Sequence, residues 1–243
     1  LVSDLDGTLL GDDAALATFA AWYERQRSWL GLVYASGRFF DSVCDSIRQT
    51  DLPDPLAVIG GVGTEVRRYP SGEEMEEARV PISPAWSAAR IERVLADVPG
   101  LEKQPDEFQS PFKVSFFLYD ASPAELRAVR RRLDELPASV DMIYSSQRDL
   151  DVVPAGVNKG GAARRLAQAW KIPPTAVMTA GDSGNDRSLL DGRFRGIVVA
   201  NAHEELKALR GPGIYQAKQP FAAGVLEGIR YWTEEKAETH ERL

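Results

Sequence analysis

Short, uninterrupted apolar runs alternate along this chain with segments of helical periodicity, and that alternation leaves few folds open to it. Residues 1–3, 30–35, 55–59, 176–179 and 196–200 each read as a strand apolar enough to be buried on both faces. Between them lie amphipathic stretches at 14–27, 41–48 and 159–170 and a shorter one at 185–190. A final segment repeats Val225, Ile229 and Trp232 on one helical face. Strands apolar on both sides and joined by helices predict a Rossmann-like α/β core, a parallel sheet covered on both faces.

The middle of the chain departs from this pattern. A helix over 84–96, a strand over 112–118, a helix over 124–136 and strands over 140–144 and 150–153 give a β-α-β-β run. The alternating Lys113-Val114-Ser115-Phe116 predicts an antiparallel sheet with one face turned toward something other than solvent. Residues 81–154 therefore read as an α/β cap inserted into a core made of 1–80 and 155–243. Asp149 and Asp151 read equally as edge-strand charges that discourage aggregation. Trp86, Trp170 and Trp232 read as core residues, Cys44 as helix packing, and the charged tail at 234–243 is expected to fray.

Composition removes several functional classes. A formal charge of −7 leaves no basic field for a nucleic acid, and Arg130-Arg131-Arg132 falls on a solvated helical face. No apolar run approaches the ~20 residues that cross a bilayer. With one cysteine, no intrachain disulfide can form, and a cytoplasmic protein is expected. Two histidines, His203 and His240, are too few for a Cys/His zinc cluster, and neither has the surroundings of a serine-hydrolase triad. Nothing signal-like opens the chain at Leu1, and a few residues are expected to precede it. No exposed apolar stripe stands out, so a monomer is expected.

Chemistry is left to carboxylates, a lysine, hydroxyls and a metal. In open α/β sheets ligands bind beyond the carboxyl ends of the strands. Asp4-Leu5-Asp6, Ser36-Gly37-Arg38 and Gly181–Asp182-Ser183-Gly184-Asn185-Asp186 all follow apolar runs, and Asn158-Lys159-Gly160 opens a helix where the insert rejoins the core. Asp4, Asp6, Asp182 and Asp186 together carry four negative charges, and a phosphomonoester would add up to two more. Such a site calls for Mg²⁺, a hard cation suited to oxygen ligands, with Lys159 as a fixed point charge. Ser36 can donate its hydroxyl to a phosphoryl oxygen beside nearby backbone N–H groups.

The sequence D-L-D-G-T, A-S-G-R, N-K-G and G-D-S-G-N-D, in that order, resembles the haloacid dehalogenase superfamily of phosphotransferases. The resemblance implies that Asp4 attacks phosphorus to form an aspartyl phosphate and that Asp6 acts as general acid and then base. It implies that Asp4, the Asp6 carbonyl and Asp182 hold magnesium, with Asp186 close by and Asn185 orienting groups behind them. Gln109-Ser110-Pro111-Phe112-Lys113, the stretch 145–151 and Val62-Gly63-Thr64-Glu65 are similar to sucrose-phosphate phosphatases. This implies sugar contacts from Lys113, Gln109, Gly63 and Glu65, joined by Arg38, Ser145 and Asp149. The expected substrate is a sugar phosphomonoester, with sucrose 6-phosphate first and mannosylfructose phosphate an alternative. A sugar phosphomutase and a non-catalytic sugar-phosphate sensor remain open at this point.

Overall fold

The computed structural model describes residues 1–240, with side chains as far as Thr233. A helix runs to His240, against the fraying expected from residue 234, and residues 241–243 lie outside the described residues.

Strand β1 (Val2–Ser3) leads through the first acidic motif into helix α1 (Asp13–Gln26), whose first turn is capped by the Asp12 carboxylate accepting from Ala15 N–H. Leu16, Phe19 and Tyr23 recur on its buried face, and burying a ring such as Phe19 contributes about 2–3 kcal/mol. Strand β2 (Val33–Ala35), helix α2 (Phe40–Gln49), strand β3 (Ala57–Gly60) and strand β4 (Glu65–Arg68) follow. Cys44 packs on the buried side of α2.

Helix α3 (Ala88–Leu95) begins later than the expected 84–96, because the Ser87 hydroxyl accepts from Arg90 N–H and fixes the start there. Strands β5 (Glu102–Lys103) and β6 (Val114–Phe117) precede helix α4 (Pro123–Leu133), which opens with a reciprocal Ser122/Glu125 capping box and Pro123 in its first turn. Strands β7 (Val140–Ser145) and β8 (Asp149–Pro154) form a hairpin.

Helix α5 (Lys159–Ala169) starts from Asn158, whose side chain accepts from Gly161 N–H. Strand β9 (Met178–Gly181), strand β10 (Arg195–Val198), the short helix α6 (Glu204–Lys207), strand β11 (Ile214–Gln216) and helix α7 (Phe221–His240) complete the chain.

Two sheets result. The larger runs β11-β10-β9-β1-β2-β3-β4 and is parallel except at the β3–β4 edge, as an α/β core of this class requires. The smaller is antiparallel, in the order β5-β6-β8-β7. Each has its own apolar cluster. Leu5, Phe19, Tyr34, Ile59 and Ile197 belong to the larger, and Ile91, Val114, Phe116, Leu150 and Val152 to the smaller.

Four details differ from the sequence reading. The helix expected at 185–190 is a single tight turn, Gly184–Asp186, because the Asp186 carboxylate folds back onto the preceding N–H groups. Strand β8 lies inside its sheet, so Asp149 and Asp151 are not edge charges. Lys113 is buried, although a strand lysine is ordinarily solvated. Trp232 is core, whereas Trp86 and Trp170 are only partly covered, and Trp86 Nε1 donates to the Pro111 carbonyl.

Candidate active site

The carboxyl ends of β1, β2 and β9 open on one rim, and the first turn of α5 meets them there. Asp4 follows β1 and is anchored by its N–H to the Ala180 carbonyl of β9 at 3.0 Å. Lys159, fully buried at the start of α5, points its ammonium into the same space. It donates to Asp4 Oδ1, Asn185 Oδ1 and Asp186 Oδ1, each at 2.7 Å, so all three N–H bonds are used. Burial alone would lower this ammonium's pKa, but Asp186 and Asp4 outweigh it and raise Lys159 above the usual lysine range.

Asp182 and Asp186 come from the turn after β9. Asp182 Oδ1 accepts from the Thr8 hydroxyl at 3.1 Å. Asp186 Oδ2 accepts from the N–H groups of Asp182 and Ser183, at 3.1 and 3.2 Å. Asp186 thus holds both Lys159 and the turn. Gly7 sits at φ +81, and a Cβ there would overlap the Asp182 carboxylate, so glycine is required for the two motifs to close on each other.

Desolvation first, then the Asp186 charge, pushes Asp4 up to about 6 despite Lys159. Desolvation followed by the Asp4 and Asp186 charges pushes Asp182 up to about 8. Carboxylate oxygens of Asp4, Asp182 and Asp186 all lie within 4.8 Å of one another. Hard, buried carboxylate oxygens crowded this closely are a donor set that fits a divalent cation such as Mg²⁺.

Ser36 is fully buried after β2, and its hydroxyl accepts from Arg38 N–H at 3.1 Å, so it braces the loop from beneath. Backbone bonds from Val62 N–H to the Ser36 carbonyl and from Gly61 N–H to the Arg38 carbonyl pin this loop to the stretch after β3. The Arg38 guanidinium forks onto the exposed Asp6 carboxylate and also donates to Ser46 Oγ at 2.9 Å.

Above these groups lies a cavity of about 500 Å³ whose far wall is the smaller sheet. Asp4, Asp6, Gly37, Arg38 and Asn185 line it from the larger sheet, and Lys113, Ser145 and Asp149 from the smaller. Lys113 reaches across to the Gly37 carbonyl at 3.3 Å and lies over the Phe39 ring at 5.1 Å. A second cavity of about 540 Å³ sits at the opposite end of the larger sheet, but Leu1, Leu56, Leu166, Trp170 and similar groups line it.

Three of the expected sugar contacts stand elsewhere. The Gln109 amide is spent on the Ser115 backbone and the Gln104 carbonyl, lacing the smaller sheet together. Glu65 accepts from Phe40 N–H at 2.5 Å and pairs with Arg67. Gly63 has φ +110, and a Cβ on it would press on the Asn158 backbone, so its place is in packing the start of α5. Conversely, Gln104, Phe108, Phe117, Ser146, Arg148, Asp151 and Ser183 line the cavity and were not read as site residues. Same-face spacing along Lys113, Ser115 and Phe117 is the sequence signal that reveals Phe117.

A buried lysine clamped among aspartates at the rim of a parallel sheet, beneath a second small sheet, is the arrangement of a haloacid dehalogenase-type phosphotransfer enzyme. The chain belongs to the sucrose-6F-phosphate phosphohydrolase family, whose model matches residues 1–233, and is thereby a phosphatase acting on phosphomonoesters. It is 33% identical to the mannosylfructose-phosphate phosphatase of Agrobacterium fabrum, with 96% of each chain covered. It is 32% identical to the probable sucrose-phosphatase 3a of Arabidopsis thaliana over 95% of its own length, but spans only 58% of that protein. The sucrose-phosphatase of Synechocystis, solved with sucrose and phosphate, superposes with a TM-score of 0.88 at 30% identity, covering 96% of both chains. A haloacid dehalogenase-like hydrolase from Bacillus subtilis, at 18% identity and a TM-score of 0.72, shares the fold.

Proposed function

We propose that this chain is a Mg²⁺-dependent phosphatase that hydrolyses a disaccharide monophosphate, sucrose 6-phosphate first, with catalysis between a core of residues 1–80 and 155–243 and a cap of 81–154. The observation that carries this reading is the convergence of Asp4, Lys159 and Asp182 under a polar cleft. Asp4, Asp182 and the Asp6 carbonyl would hold the cation, which when bound neutralises phosphoryl oxygens.

The remaining work falls to side chains. Asp4 attacks phosphorus, forming an acyl phosphate as the bond to the sugar oxygen breaks. Asp6 gives its proton to that leaving oxygen and afterwards takes one from the water that splits the phosphoenzyme. For this it must leave Arg38, and an arriving phosphoryl group offers that guanidinium another anionic partner. Lys159 keeps Asp4 in place, and the Ser36 loop presents N–H groups to the phosphate. Lys113, Ser145 and Asp149 face the sugar.

The likeness to the Agrobacterium protein favours a second reading, mannosylfructose phosphate as substrate. We further infer a cytoplasmic protein, from its lone cysteine, Cys44, which is buried on helix α2. Phosphate release from both disaccharide phosphates and from hexose phosphates, with and without Mg²⁺, tests these readings. Phosphate transferred to another sugar position would point to a mutase, and binding without turnover to a sensor.

A further inference from the structure

The cleft-facing side of the smaller sheet is graded. Along β6, Val114, Phe116 and Leu118 turn into that sheet's own apolar core, which leaves Lys113, Ser115 and Phe117 on the other face. Register places Ser115 opposite Asp151 and Phe117 opposite Asp149, with Ser145 beyond Asp149. Lys113 and Asp151 are buried, and the Ser115 hydroxyl donates to Asp151 Oδ1 at 2.5 Å. Phe117 is only partly covered.

Two of the contacts between this sheet and the larger one flank the cleft. Lys113 donates to the Gly37 carbonyl. At the other, Gly184 packs so closely on the Tyr144 carbonyl that a Cβ would overlap it. Phe117 stands ~13 Å along its strand from Lys113 and ~10 Å across the sheet from Ser145, far from both anchors. Strand spacing places it toward the end of the cleft away from the Lys113–Gly37 contact. Phe108, 41% exposed, lines that cavity with it.

Aromatic surface left open in an otherwise polar cavity asks for a partner with an apolar face. Phe117 is also held firmly. The Arg148 guanidinium lies 5.8 Å from its ring centroid, and Tyr119 stacks at 5.8 Å and 22°. Arg148 is itself tied to Asp149, which accepts from Gln104 Nε2 at 2.9 Å. A fixed ring beside a carboxylate suits a pyranose or furanose, whose C–H face lies on the ring while its hydroxyls reach the acid.

We propose that Phe117, assisted by Phe108, is the platform for the distal sugar ring and is the residue by which the enzyme prefers disaccharide monophosphates to hexose monophosphates. This rests on the sugar-phosphatase reading above. Phe117→Ala, Phe108→Ala and Phe117→Tyr are assayed with the better disaccharide phosphate and with fructose 6-phosphate, after melting curves establish folding. Phe117→Ala should raise KM for the disaccharide phosphate about tenfold with little change in kcat, leave fructose 6-phosphate kinetics unchanged, and be rescued by Phe117→Tyr.

Equal effects on both substrates, or none on either, overturn the platform while leaving the phosphatase reading intact. If the wild type releases phosphate from no sugar phosphate, the phosphatase reading falls. Calorimetric binding of the unphosphorylated disaccharide then decides the platform, because unchanged affinity in Phe117→Ala contradicts it.

Discussion

Lys159 Nζ and Asp4 Oδ1 are 2.7 Å apart, although 155 positions separate the two residues in the chain. With one partner at the first turn of α5 and the other at the end of β1, the catalytic rim cannot form before both halves of the larger sheet have met. The pair keeps Asp4 ionised in a setting where burial opposes it. Asp4→Asn preserves the shape and removes the nucleophile. Phosphate release should fall at least ~10³-fold while the melting temperature stays within a few degrees, as single-turnover assays and calorimetry will show.

Removing the cation of this pair should act on stability as well as on rate. Lys159→Ala leaves Asp4, Asp182 and Asp186 facing one another in a buried space. Stripping one partner from a buried ion pair costs about 3–5 kcal/mol, on the order of 10 °C in melting temperature for a chain of this size. Added Mg²⁺ should return part of that loss, and Lys159→Ala/Asp4→Asn should melt above Lys159→Ala.

Stability without a divalent ion should decline as pH rises. Asp182 holds its proton to about 8 in the folded chain, against 3.8 as the ordinary value. Between those values the folded state binds more protons than the unfolded state, so each step up in pH disfavours folding. Asp4, raised to about 6, adds a contribution of the same sign over the lower part of that window. In EDTA the melting temperature should drop from pH 5 to pH 8, and the stabilisation given by Mg²⁺ should grow over the same range. A Mg²⁺ effect of equal size at both pH values would contradict the carboxylate cluster as its site.

Gly160 tests the close packing of α5 against the acidic turn. A Cβ at this position would run into the Ser188 carbonyl and crowd Leu189 N, both backbone atoms with little room to yield. Gly160→Ala should destabilise by about 1–3 kcal/mol and lower turnover through displacement of Lys159. Urea unfolding and steady-state kinetics on the same preparation measure both effects.

Much of this was legible in the sequence, for a physical reason. Strands buried on both faces announce themselves as apolar runs, and the groups at their carboxyl ends follow directly, which is why Asp4, Ser36 and Asp182 could be read together. The two-residue β5 and the β4 edge carry no comparable run and were missed. Within the cleft the failures share a cause. Whether Gln109 faces a ligand or its own sheet depends on the cross-strand partners it meets, here Ser115 and Gln104. Asp151 looked like an edge charge until register set it beside Ser115 in the middle of a sheet.

The central claim is that this rim hydrolyses a sugar phosphomonoester. Inorganic phosphate release from sucrose 6-phosphate and mannosylfructose phosphate, with Mg²⁺ and with EDTA, tests it most directly. The account predicts a kcat/KM of ~10⁴–10⁸ M⁻¹s⁻¹ on one of the two with Mg²⁺, and loss of release in EDTA. Undiminished turnover in EDTA, or no release from any sugar phosphate in the presence of Mg²⁺, would contradict it.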